Sequence, residues 1–237
     1  MTHLGELALS AGKPVVAVSF TDLDSARDIA RARAAGVEIC ELRIDLFARL
    51  DPAYVAAQVG RLIGLPTLAT VRLAAEGGAW KGGEGDRIGL YETVLPMVDG
   101  VDVELQASEA LAIIGPLASV NSKLLVVSHH DFQGTPPYET LAEIARRGAG
   151  TGADVVKIAA QINDDADIAV LARLLDERPA PNLVVIGMGE RGLPTRLLFP
   201  HQGSLFTFAA QGDRASAPGQ IAYDRMISLL GLSRPRA

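Results

Sequence analysis

The chain of 237 residues contains one cysteine, Cys40, so no internal disulfide can staple it. Its stability must come from a packed core, the usual pattern of a reducing compartment. No apolar run reaches the roughly 18 residues that a membrane helix needs. The opening MTHLGELALSAGKP carries Glu6 in its one apolar stretch and has no Lys or Arg ahead of it, unlike a secretory signal. These absences lead us to expect a cytoplasmic protein with no membrane partner. Basic residues number 22 against 28 acidic ones, a net charge of −6. Such a balance argues against a nucleic-acid partner, which needs a basic face. It leaves room for a small anionic substrate, because a few arginines can make a local positive pocket. Lysine is scarce as well: Lys13, Lys81, Lys123 and Lys157 stand beside 18 arginines.

What is present is ordinary globular material, 49% hydrophobic and 21% charged, which excludes a disordered chain. Apolar runs of strand length alternate with helix-period segments. Strands are predicted near 13–20, 37–45, 66–72, 101–105, 123–130, 153–160, 182–188 and 204–209. Helices are predicted over segments such as 23–36, 52–64, 137–150 and 165–178, several ending in the glycine that commonly stops a helix. A last helix is expected over 218–232, with Pro218 near its first turn. Eight strand–helix units of about 30 residues match the repeat of a (β/α)₈ barrel. A doubly wound sheet is the alternative, but it usually carries a glycine-rich turn after its first strand. Here that turn reads SFTDLDS, without glycine. We therefore expect one TIM-barrel domain over residues 1–237. The glycine-dense stretch 76–86, EGGAWKGGEGD, suits a mobile loop, with Trp80 exposed on it.

In a closed barrel, side chains alternate between lumen and helix layer. Polar residues facing inward at the C-terminal strand ends therefore mark the active site. In 39–45, Cys40, Leu42 and Ile44 share one face, and Glu41, Arg43 and Asp45 share the other, inward one. Arg72 faces inward at the end of its strand. Val126, Ser128 and His130 share a face that His129 does not. Lys157 lies inside the apolar run VVKIA. Glu41 and Arg43 could equally be a structural ion pair, and a strand-end histidine could be a structural group. Lys157 is different. An unpaired ammonium there would be costly to bury, and the usual relief is a lowered pKa. A neutral lysine in a dry pocket is a nucleophile for ketones, a role arginine cannot fill. No HExxH, CxxC, GxSxG or phosphate-loop pattern occurs, so no metal site and no cofactor are expected.

Six ordered motifs now carry a resemblance: ELRID (41–45), VRLAAEGG (71–78), DVEL (102–105) followed after 19 residues by LVVSHHD, VVKIA (155–159), MGERGLPTR (188–196) and SAPGQI (216–221). Together they resemble the type I 3-dehydroquinate dehydratases, Schiff-base lyases of the shikimate pathway. The resemblance implies that Lys157 forms an imine with the C3 ketone of 3-dehydroquinate. It implies that His130 moves the C2 proton and assists the departure of the C1 hydroxyl, with Glu76 holding His130. It implies that Arg196 binds the substrate carboxylate, and that Glu41, Arg43, Arg72, Ser216 and Gln220 bind hydroxyls and shape the pocket. The loop bearing Ser216 and Gln220 would close over the substrate, and the enzyme would be a homodimer. Asp102 and Glu104 share a strand face and are expected to act as supports. Two other readings remain open. One is an aldolase-type Schiff-base barrel acting on sugar phosphates. The other is an inactive barrel that senses pathway intermediates.

Overall fold

The computed structural model describes residues 2–212 and 214–232. The chain opens with a small antiparallel hairpin, β1 (Thr2–Leu4) and β2 (Leu7–Leu9), which the strand pattern did not suggest. Eight parallel strands follow: β3 (Val16–Phe20), β4 (Ile39–Arg43), β5 (Thr67–Thr70), β6 (Gly100–Glu104), β7 (Leu124–Asp131), β8 (Val155–Gln161), β9 (Leu183–Met188) and β10 (Thr207–Ala209). They lie in one sheet in the order β10-β3-β4-β5-β6-β7-β8-β9. The Leu205 amide, just before β10, donates to the carbonyl of Leu183 at the start of β9 and nearly closes the ring. Helices α1 (Ala26–Ala35), α2 (Pro52–Arg61), α3 (Glu84–Val94), α4 (Ser108–Val120), α5 (Tyr138–Gly150), α6 (Asp165–Glu177), α7 (Leu193–Gln202) and α8 (Tyr223–Leu229) alternate with the strands. The (β/α)₈ barrel expected from the repeat is the fold observed. Among the described residues, no helix is long and apolar enough to cross a membrane.

Local chemistry accounts for the helix ends. Ser25 with Asp28, and Asp164 with Asp167, form reciprocal capping boxes on α1 and α6. Asp51 accepts the Tyr54 amide and Pro52 opens α2. The strands sort their side chains as alternation requires. Val16, Val18, Cys40, Leu42, Ala69, Val101, Val103 and Val127 pack in the layer beneath the helices. Ala17, Ile39, Leu68, Val126, Val155, Val184 and Ile186 fill the lumen. Leu4 and Leu9 of the hairpin join that lumen cluster and cover the N-terminal mouth of the barrel. The opposite mouth is left to polar side chains.

Two expectations are corrected here. The last helix begins at Tyr223, and Pro218 sits in the preceding loop, where its carbonyl accepts from Gly189 N–H and Arg196. The glycine stretch is not an open loop around an exposed indole. Trp80 is 7% exposed and packs in the sheet–helix core, pairing with Leu73 in a parallel bridge. The end of the stretch, from Glu84, already belongs to α3. An apolar ring of this size is driven inward once its backbone can turn back, and the flanking glycines permit that turn.

Candidate active site

The C-terminal mouth holds a pocket lined by both polar and apolar side chains, Lys157, His130 and Arg196 beside Ile186, Met188 and Phe208, the mixed lining usual for small-molecule sites. Lys157 enters it from the middle of β8 and is 5% exposed. It is not the unpaired ammonium that the sequence suggested. Its Nζ donates to Asp102 Oδ2 at 2.9 Å and lies 4.5 Å from the centre of the Phe208 ring. Asp102, on β6, also takes Arg72 at 2.8 Å and the Ser128 hydroxyl at 2.6 Å on its other oxygen. Burial alone would raise the Asp102 carboxyl, but Arg72 and Lys157 beside it hold it well below the usual carboxylate range. Arg72 continues to Glu104 at 3.0 Å, and Glu104 to Arg87 of α3 at 2.6 Å. An alternating ladder of buried charge thus runs from the lysine out to the helix layer. Each member is satisfied by its neighbours, as buried ions must be.

His130, near the end of β7, faces the same pocket. Its Nδ1 lies 2.8 Å from Glu76 Oε2, and its backbone N–H donates to that oxygen at 2.9 Å. Burial, reinforced by the nearby Arg72 and Lys157 charges, pushes the imidazole well below its ordinary pKa, so it is neutral at pH 7. With an ionised Glu76 accepting from Nδ1–H, Nε2 keeps a free lone pair. Glu76 ends a short 3₁₀ turn, Ala74–Glu76, after β5. It is 1% exposed, and burial raises its carboxyl to about 7 against the pull of Arg72 and a hydrogen bond from Gln106. Gly78 lets this turn fold back: a Cβ there would meet the Arg72 carbonyl oxygen at 2.0 Å. His129 points away and does not line the pocket.

Arg196, on α7, reaches the pocket wall at 2% exposure. It donates to the Pro218 carbonyl at 3.1 Å, while its buried Nε has no hydrogen-bond partner among the described residues. Burial lowers it to about 10. Such a guanidinium is set to take a carboxylate in a planar two-point grip. Glu41 and Arg43 are not an ion pair with each other. Arg43 makes a two-point pair with Asp45, which lies in a 3₁₀ turn after β4, at 2.9 and 2.8 Å. Glu41 accepts from the Ser19 and Thr70 hydroxyls. The loop after β10 lies over the mouth. Ser216 donates to Ser19 at 2.8 Å and its carbonyl accepts from Arg43 at 3.4 Å, while Gln220 Oε1 accepts the Ser216 amide at 2.9 Å. Asp213, in the same loop, lies outside the described residues.

All nine residues singled out from the sequence (Lys157, His130, Glu76, Glu41, Arg43, Arg72, Arg196, Ser216 and Gln220) line this one pocket. Arg72 does so with its guanidinium already engaged by Asp102, Glu104 and Ser128. The sequence reading passed over Ser19, Gln106, Phe132 and Phe208. Ser19 and Phe208 were within reach of the alternation rule, as inward positions of the first and last barrel strands. Gln106 and Phe132 sit beyond strand ends, where alternation gives no signal. No cluster of three or more His, Cys, Asp or Glu among the described residues could hold a metal ion.

The family model for type I 3-dehydroquinase matches residues 15–236. The chain is 36% identical to the 3-dehydroquinate dehydratase of Methanosarcina barkeri over 98% of its own length and 99% of the relative's. It is 33% identical to that of Thermodesulfovibrio yellowstonii, covering 91% and 94% of the two chains. Among solved structures, the type I 3-dehydroquinate dehydratase of Clostridium difficile with covalently modified comenic acid superposes with a TM-score of 0.88 at 26% identity. That match covers 98% of this chain and 96% of the other. The enzyme of Geobacillus kaustophilus gives 0.83 at 30% identity, over 93% and 91%. With a barrel whose mouth gathers a buried lysine, a carboxylate-backed histidine and an arginine around one pocket, the chain is an enzyme of the type I 3-dehydroquinase family.

Proposed function

We propose that this enzyme dehydrates 3-dehydroquinate to 3-dehydroshikimate through a Schiff base on Lys157. The observation that carries the reading is the convergence of Lys157, the His130–Glu76 pair and Arg196 on one pocket. Arg196 takes the substrate carboxylate, which fixes the ring. The Lys157 amine, having shed its proton, adds to the C3 carbonyl carbon, and loss of one water gives the imine. Protonated imine nitrogen is an electron sink, so a base of modest strength can remove the C2 proton. Nε2 of His130 takes it, and Glu76 stabilises the imidazolium that forms. The resulting enamine expels the C1 hydroxyl, which leaves as water with the proton from His130. Hydrolysis of the conjugated imine consumes one water and frees Lys157. The net change is loss of one water from the substrate.

Glu41, Arg43 and Arg72 shape the wall for the ring hydroxyls, and the loop of Ser216 and Gln220 keeps bulk water from the imine. Family membership supports a place in the shikimate pathway, a cytoplasmic location, a homodimer and a single catalytic domain. Borohydride reduction in the presence of 3-dehydroquinate tests the covalent step. A mass increase on the peptide carrying Lys157 is expected, and Lys157→Ala should lose both adduct and turnover. Retention of more than a few per cent of activity by the variant, with no other lysine modified, would end the assignment.

A further inference from the structure

The carboxylate behind His130 is held on both oxygens. Among the described residues, Oε2 is given to His130, through its ring Nδ1 and its backbone N–H. Oε1 accepts a short hydrogen bond from the side-chain amide of Gln106, two residues past the end of β6. The charged or titratable groups facing Glu76 are Arg72 at the end of β5, Glu104 on β6 and His130 on β7, with Lys157 across the pocket. Arg72 is the cation among them that lowers the Glu76 carboxyl, and it is shared with Asp102 and Glu104. Its pull on Glu76 is therefore diluted, and Glu104 opposes it. We propose that Gln106 is a positioning residue that keeps Glu76 an oriented anion behind His130.

A neutral His130 can accept a proton at Nε2 only if Nδ1 carries the ring hydrogen, and that hydrogen needs an ionised acceptor in Oε2. Protonated Glu76 would instead donate to Nδ1 and turn the imidazole's hydrogen toward the substrate. Burial already places the Glu76 carboxyl near 7, so the competent form grows as pH rises through neutrality. A hydrogen bond to the charged form favours that form. Gln106 supplies it from a side chain that is itself exposed, so changing it does not open the core.

This rests on the Schiff-base reading, and the test separates the two. The pH profile of kcat/KM for 3-dehydroquinate is measured for the wild type, Gln106→Leu and Gln106→Glu. Gln106→Leu removes the donor, and its acid limb should move up by about one pH unit, with activity recovering at higher pH. Gln106→Glu keeps the shape but sets a carboxylate against a carboxylate, and its limb should move further. In a Glu76→Gln background, Gln106→Leu should leave the profile unmoved. Borohydride trapping on Lys157 is run in parallel and should persist in both Gln106 variants. An unmoved acid limb, or a loss of activity uniform across pH, overturns the role of Gln106. Failure to trap an imine even in the wild type overturns the Schiff-base reading instead.

Discussion

Two adjacent histidines give the sharpest contrast at the scale of single residues. His130 faces the pocket with its Nδ1 on Glu76, while its neighbour faces the other side of β7. His130→Ala should lower kcat by roughly 10²–10⁴-fold, the usual loss of a general base, and still form the imine. His129→Ala should cost far less, and rapid-mix kinetics on both variants would show a reversed order if the β7 register were otherwise. The faces of these residues were legible in the sequence because alternation is a local property with period two. Their partners were not. Lys157 looked solitary because Asp102, 55 positions earlier, is brought to it only by the ladders from β6 to β7 and β7 to β8. Arg43 differs: its partner, Asp45, is only two positions on, in the 3₁₀ turn that follows β4, and alternation alone did not set Asp45 above Glu41 as that partner.

Among the elements, the strands and most helices announce themselves by period and caps, and the segments that escaped notice are those whose conformation other segments impose. The loop between β10 and α8 is one. Pro218 reads as a helix opener, yet its carbonyl is claimed by Gly189 and Arg196. The loop is fixed at its other end by the ion pair of Arg214 with the buried Asp24. Gly219 makes the seating possible: its φ is +78°, and a Cβ there would meet the Gly189 carbonyl oxygen at 2.1 Å. Gly219→Ala should therefore lift the loop from the mouth. We expect KM to rise about tenfold or more, equivalent to ~1.4 kcal/mol of lost binding, with imine trapping on Lys157 retained. Steady-state kinetics with unchanged KM would mean that the loop's seating contributes nothing to binding.

The whole molecule separates stability from chemistry along the barrel axis. Leu4 and Leu9 close one mouth, and the charged pocket occupies the other. Leu4 is 1% exposed, so Leu4→Ala should destabilise the fold by about 2–5 kcal/mol. Turnover at temperatures well below unfolding should hardly change. Urea unfolding monitored beside kcat/KM would refute this division if activity fell and stability did not. The same axis explains why the fold could be foreseen more fully than the site. Eight repeats average over local errors, whereas each ion pair across the lumen depends on the stagger of two particular strands. One buried side chain ties the two ends of that contrast together. Trp80 is the protein's sole tryptophan; it is bridged to Leu73, and its amide donates to the Arg72 carbonyl. The turn that delivers Glu76 lies between those contacts. Every photon emitted by indole in this protein therefore originates beside the turn that carries Glu76. The protein thus carries a built-in optical label, and a shift of that turn on ligand binding is expected to change its emission without dye or insertion.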